Sequence, residues 1–150
     1  MVRKATAADE EAVYQLVRAL EGRDLPRQRF AEIYTSQQND FRYISLVWEK
    51  GNCVLGFLNL RLESQLHHGG LVAEILEMVV APACRGQGIG KALVEEGEKF
   101  ARERGCALLE VTSSCSREDA HRFYQREGFS PTHLKLTKGM GGMKDARRIL

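Results

Sequence analysis

The stretch Val79-Val80-Ala81-Pro82-Ala83-Cys84-Arg85-Gly86-Gln87-Gly88-Ile89-Gly90-Lys91 decides the fold. An apolar run stops at Pro82, glycines follow at alternate positions, and an amphipathic pattern begins (Ile89, Ala92, Leu93, Phe100, Ala101). That is a strand, a glycine-rich turn and a helix N-terminus. Glycines let the backbone turn its N–H groups inward without side-chain obstruction. The first turn of the helix adds unpaired donors and about half an elementary positive charge. The junction is therefore an anion site fit for a pyrophosphate, with Arg85 and Lys91 at its rim. It lacks the Gly-Lys-Ser/Thr ending of a P-loop and the acidic residue a dinucleotide fold places about 20 residues later.

Outward toward the N-terminus, Leu71–Val80 reads as a central strand, interrupted by Glu74 and Glu77. Before it lies a polar loop from Glu63 to Gly70 containing His67-His68. Arg42–Glu49 and Cys53–Leu62, joined by a Lys50-Gly51-Asn52 turn, read as a hairpin. Residues 6–21 are a helix with Thr6 and Asp9 in a capping box and Gly22 as its stop. A short second helix starts at Pro26 and carries Phe30, Ile33 and Tyr34. Toward the C-terminus come a strand (Leu108–Thr112), a helix (about Arg117–Arg126) ended by Gly128, and a last strand over Thr132–Thr137. The order predicts a single α/β (α+β) domain over 1–138, with a mixed sheet flanked by helices. The tail 139–150 (Gly139-Met140-Gly141-Gly142 and beyond) lacks a core pattern and is expected to be disordered.

Composition narrows the function. One hundred and fifty residues make one core. A net charge of +2 is too small to suggest a nucleic-acid partner. No apolar run reaches the roughly 18 residues of a membrane span, and the N-terminus lacks an export segment, so the cytoplasm is expected. The four cysteines form no CxxC pair and read as reduced thiols.

Two motifs carry a resemblance. Arg85-x-x-Gly88-x-Gly90 after Val79-Val80-x-Pro82 resembles the coenzyme A signature of the GNAT-type N-acetyltransferases. Ala120-x-x-Phe123-Tyr124-x-x-x-Gly128-Phe129 resembles the second signature of that family, at the expected distance. The likeness extends over about residues 3–138. It implies a mostly antiparallel mixed sheet, splayed between its central strands to admit acetyl-CoA as cosubstrate. By the same resemblance Met78, Val79, Val80, Arg85, Gly86, Gln87, Gly88, Ile89, Gly90, Lys91, Ser114 and Tyr124 contact the cofactor. The N–H of Val79 or Val80 would donate to the acetyl carbonyl. One departure stands out: where the family often carries Asn on the strand before the last helix, this chain has Ser113, Ser114 or Cys115.

Acetyl transfer needs an amine that has lost its proton, a donor for the oxyanion, and a donor near the departing sulfur. Tyr124 is the candidate acid by resemblance. Glu74 and Glu77 are the candidate bases, because a carboxylate inside an apolar strand is costly unless it has a partner or a task. Glu74 comes first because its place six residues before Val80 resembles the general-base position of several family members, and Glu77 is second. Regular alternation sends the two to opposite faces unless a bulge intervenes, and such a bulge is characteristic of the family.

Leu66-His67-His68, Glu74-Ile75, Asp119–Tyr124 and Thr137-Lys138 further resemble the aminoalkylphosphonate N-acetyltransferases. A small-molecule primary amine is then the expected acceptor, with His67 and His68 as substrate-binding residues and Arg42, Arg61, His133 or Lys135 as further cationic partners. That subfamily is associated with a divalent metal, although no metal ligand is assigned here. The alternatives are a protein or peptide N-acetyltransferase and a non-catalytic acetyl-CoA-binding sensor. A homodimer is common in the family.

Overall fold

The structure is a computed structural model that describes residues 1–141. Its chain divides into two compact units, Met1–Val111 and the segment from Thr112 onward.

The first unit is built on one sheet of five strands, β1 (Val2–Lys4), β2 (Tyr43–Lys50), β3 (Cys53–Gln65), β4 (Gly70–Val80) and β5 (Leu108–Val111), lying side by side in chain order. The pairs from β1 to β4 are antiparallel, and β4–β5 is parallel. Three helices belong to this unit: α1 (Glu10–Glu21), α2 (Arg27–Gln38) and α3 (Ile89–Glu103).

The start of α1 is fixed electrostatically. The Asp9 carboxylate accepts the Thr6 N–H at 2.7 Å and a two-pronged guanidinium from Arg3 at 2.8 and 2.9 Å. Those bonds, the one from Arg3 first, hold Asp9 below the usual carboxylate range. Arg3 also donates to Glu49 at 2.8 Å, which ties β1 to β2 as well as to α1. Gly22 ends α1 at φ 69°, its N–H on the Arg18 carbonyl.

The two faces of β3 bury different things. Even positions face α3 so closely that a Cβ added at Gly56 would lie 2.9 Å from Ile89 Cγ2 and 3.0 Å from Leu93 Cδ1. One added at Gly97, on the helix, would lie 3.2 Å from Leu58 Cδ2. Odd positions face the other way, where Phe57 joins Val47, Val79, Val13, Leu16, Val17 and Tyr34 in the core beneath α1 and α2.

Several expectations change. Strand β1 has no counterpart in the sequence reading, because three residues are too few for a period-two signal. Strand β3 runs on to Gln65, so the loop expected over Glu63–Gly70 shrinks to residues 66–69. The strand expected over Thr132–Thr137 is not formed. Among the described residues no strand pairs with that segment, and Leu134 and Leu136 stand 87% and 91% exposed. Alternation alone makes no strand without a ladder to join and a face to bury. The expected tail is partly covered: residues 139–141 form no helix or strand, and 142–150 lie outside the described residues.

The second unit contains α4 (Glu118–Arg126). No helix among the described residues is long and apolar enough to cross a membrane.

Candidate active site

Between β4 and α3 the chain makes a short helical turn over Pro82–Cys84 and then the glycine loop. Gly86 and Gly88 sit at φ 78° and 81°, the left-handed region where a side chain is strained, and a Cβ at either would meet open space. Backbone conformation, not crowding, therefore demands glycine at both. Gly88 is the N-cap of α3, and its carbonyl accepts the first helical bond, from Ala92, at 3.0 Å. The N–H groups of Ile89, Gly90 and Lys91 have no carbonyl one turn back within the helix. Arg85, Gly86, Gln87 and Gly88 line the solvent side of the turn, and Ile89 is buried and anchors it. Lys91 forms an ion pair with Glu95 at 3.3 Å. The loop presents donors and glycine surface to solvent, as an anion cradle requires.

The parallel ladder between β4 and β5 covers Val72–Ile75 against Leu108–Val111 and ends there. From Leu76 to Val80, β4 keeps only its β3 partners, with Met78 opposite Leu58, Val79 opposite Phe57 and Val80 opposite Gly56. Among the described residues no strand occupies its other edge. Open backbone groups along this edge fit an amide-bearing arm, and the glycine loop follows the same strand end. The donor set thus suits a CoA thioester.

Just beyond the end of that ladder β4 carries its bulge. Asn59 pairs with Glu77 and Leu60 with Ile75, so Leu76 is the extra residue. The count restores Glu74 and Glu77 to one face, in cross-strand rows with Arg61 and Asn59, on the side of α1 and α2. Their surroundings differ. Glu74 accepts from Arg61 at 3.3 Å, and Glu110 of β5 is its other neighbour in the row. Glu77 faces a neutral amide: Asn59 Nδ2 donates to Glu77 Oε1 at 3.2 Å and to Gln37 Oε1 at 2.9 Å, and Asn59 Oδ1 accepts from Ser45 Oγ at 2.9 Å. Desolvation pushes the Glu77 carboxyl above the usual range, the Asn59 hydrogen bond opposes this, and the charges of Glu21 and Glu74 add to the rise.

His67 and His68 occupy the β3–β4 turn with ring centroids 4.2 Å apart. His68 Nε2 lies 3.7 Å from Glu110 Oε1, which links the turn to the row containing Glu74 and Arg61. Arg61 Nε is buried with no hydrogen-bond partner. Among the described residues no three His, Cys, Asp or Glu side chains converge as a metal site would need.

In the second unit, Tyr124 is 8% exposed on α4. Edge-on contacts to Phe123 and Phe129, at 5.2 and 5.4 Å between centroids, pack the ring. Burial pushes its phenol up to about 12. Ser114 Oγ lies 3.0 Å from Ser116 Oγ, and the Ser114 carbonyl meets His121 Nε2 at 2.8 Å.

Sequence reasoning missed Asn59, Gln37 and Ser45. A usable signal existed for the first: Asn59 is the lone amide within Leu55–Leu62, between Leu58 and Leu60. Buried polar side chains hold such places through hydrogen bonds.

Comparison with known proteins shows the family and the fold. Residues 10–129 match the model of the acetyltransferase (GNAT) family. The aminoalkylphosphonate N-acetyltransferase of Salmonella typhimurium is 35% identical over 139 residues, covering 93% of this chain and 90% of that protein. Among solved structures, one described as a transcriptional regulator from Bacillus halodurans superposes with a TM-score of 0.83 at 27% identity, covering 93% of this chain and 99% of the other. An aminoglycoside N-acetyltransferase in complex with CoA gives a TM-score of 0.84 at 16% identity, covering 94% of each, which is a likeness of fold.

Proposed function

This chain belongs to the acetyltransferase (GNAT) family, and from that premise we propose that it acetylates the primary amine of a small molecule, with an aminoalkylphosphonate as the first acceptor to test. Acetyl-CoA supplies the activated acyl group as a thioester. The N-terminal turn of α3 with Gly86 and Gly88 holds its phosphates, and the open edge of β4 over Leu76–Val80 holds its pantetheine arm.

The observation that carries the reading is the desolvated Glu77 carboxylate beside the bulge. An incoming ammonium must give up a proton, and a carboxylate raised toward neutrality takes it more readily than an ordinary one. Glu74 is paired with Arg61 and is therefore the weaker choice of base, although it was the first candidate in the sequence. Its charge serves to attract the ammonium. Tyr124, whose phenol keeps its proton far above neutral pH, is suited to donate to the departing sulfur. The Arg61 guanidinium, with His68 beside Glu110 of the same row, suits an anionic group on the acceptor. A cytoplasmic location is consistent with this cosubstrate.

The test is turnover. Purified protein is incubated with acetyl-CoA and aminomethylphosphonate, aminoethylphosphonate, amino sugars, polyamines and a peptide, with and without divalent ions, and free thiol is followed. Preferred turnover of an aminophosphonate supports the acceptor, and preference for the peptide would replace it. Tight acetyl-CoA binding with no turnover on any amine would instead favour a sensor module.

A further inference from the structure

The amide of Asn59 is held at both its oxygen and its nitrogen. It is 1% exposed, so each polar atom needs a protein partner. Both Nδ2 hydrogens are committed, one to Gln37 Oε1 on α2 and one to Glu77 Oε1 on β4, and Oδ1 receives the Ser45 hydroxyl from β2. Three different elements thus fix one side chain. With Oδ1 occupied by a donor and Gln37 presenting an acceptor, the group turned toward Glu77 is an N–H. An N–H favours a carboxylate that accepts, which is the deprotonated form.

We propose that Asn59 is the positioning residue of the catalytic base: it clamps Glu77 by Oε1, keeps the carboxylate proton-free between turnovers, and leaves Oε2 to take the proton of the amine. This rests on Glu77 being that base. The groups acting on Glu77 are Asn59 from β3, Glu21 from α1 and Glu74 from its own strand, while Gln37 from α2 bonds to Asn59. Both charged neighbours are acidic, so Asn59 is the one contact named here that opposes protonation. Ser45 and Gln37 act through Asn59 and touch neither substrate nor cofactor in this scheme.

The experiment titrates Glu77 directly. Carboxyl carbons are labelled with 13C, and the Glu77 resonance is assigned by its disappearance in Glu77→Gln. Its midpoint is then compared in the parent, Asn59→Leu and Asn59→Asp. The aspartate variant is isosteric and keeps the Ser45 bond, so it reports even if the leucine variant disturbs packing. Losing the N–H is expected to raise the midpoint by about one pH unit, the size of one hydrogen bond to a charged acceptor. Asn59→Asp, which adds a like charge, should raise it further. The acid limb of kcat/KM, measured with aminoethylphosphonate or the best acceptor of the panel, should move with the midpoint, and activity should recover at high pH. A purely structural role would lower activity equally at all pH values. An unchanged midpoint in both variants overturns the proposal while leaving Glu77 as base. An acid limb that persists in Glu77→Gln overturns the base itself, and the role of Asn59 with it.

Discussion

Replacing Glu77 by glutamine changes the shape of the strand very little and its electrostatics a great deal. The new amide oxygen still accepts from Asn59 Nδ2, now as a neutral bond in place of a charge-assisted one, a loss of about 1 kcal/mol. Against that, the folded chain no longer desolvates a carboxylate, nor holds one beside the charges of Glu21 and Glu74. The sign follows from the raised value. A carboxyl that binds its proton more tightly folded than unfolded contributes stability at low pH, which is lost as pH rises from the unfolded value through the folded one. Above that window the parent carries the cost of the partly desolvated charge. Glu77→Gln should therefore melt at the same or a higher temperature than the parent at pH 8. Near pH 4, where the parent carboxyl is protonated, that relative advantage should be gone. Turnover should behave in the opposite sense, with kcat/KM falling roughly 10²- to 10⁴-fold, the range a general base supplies, and KM for acetyl-CoA little changed. Thiol release over pH 5–9 and thermal melts at the two pH values measure both. A variant that loses stability at pH 8, or keeps kcat/KM within about threefold of the parent, would refute the reasoning.

Tyr124→Phe should lower kcat with little change in acetyl-CoA affinity, and the phenol at about 12 should contribute no alkaline limb below pH 10; a limb near pH 9 that vanishes in the variant would contradict this. Gly88→Ala forces a side chain into φ 81° and should cost about 1–2 kcal/mol, seen as a melt lowered by a few degrees and weaker acetyl-CoA binding by calorimetry. Gly56→Ala meets Ile89 and Leu93 at 2.9 and 3.0 Å and should destabilise by about 1–3 kcal/mol in a denaturant titration. Arg3→Met strands a nearly buried Asp9 and should cost on the order of 3 kcal/mol at pH 7. Because Asp9 is held low when folded, the difference from the parent should shrink as pH falls through its folded value.

What could be read from the chain depended on whether the signal was local. The Gly86–Gly88 turn and the Gly22 stop are local, since each needs only a left-handed residue at a fixed place. The hairpin around Gly51 is local too. The bulge is not: Ile75-Leu76-Glu77-Met78 is apolar on both sides of its acid and has no glycine, so nothing marks Leu76 as the extra residue. Choosing between Glu74 and Glu77 as base turned on the same hidden register, which sets a guanidinium opposite one and an amide opposite the other. Thr132–Thr137 shows the converse failure. Its alternation is a genuine local preference, but strand formation is a property of pairs.

The parity of β3 has a consequence for anyone who would redesign this enzyme. Codons 56, 58 and 60 specify the surface on which α3 rests, and a methyl group at the first would already push that helix away. Codons 57, 59 and 61 specify the opposite wall, whose polar members meet the two glutamates. A mutational library confined to 61 and its partner 43 across the ladder, with the Asn59–Ser45 pair kept, would vary that wall while the surface under α3 stays as it is. Thirteen residues of one strand thus separate two problems that a designer is usually forced to solve together.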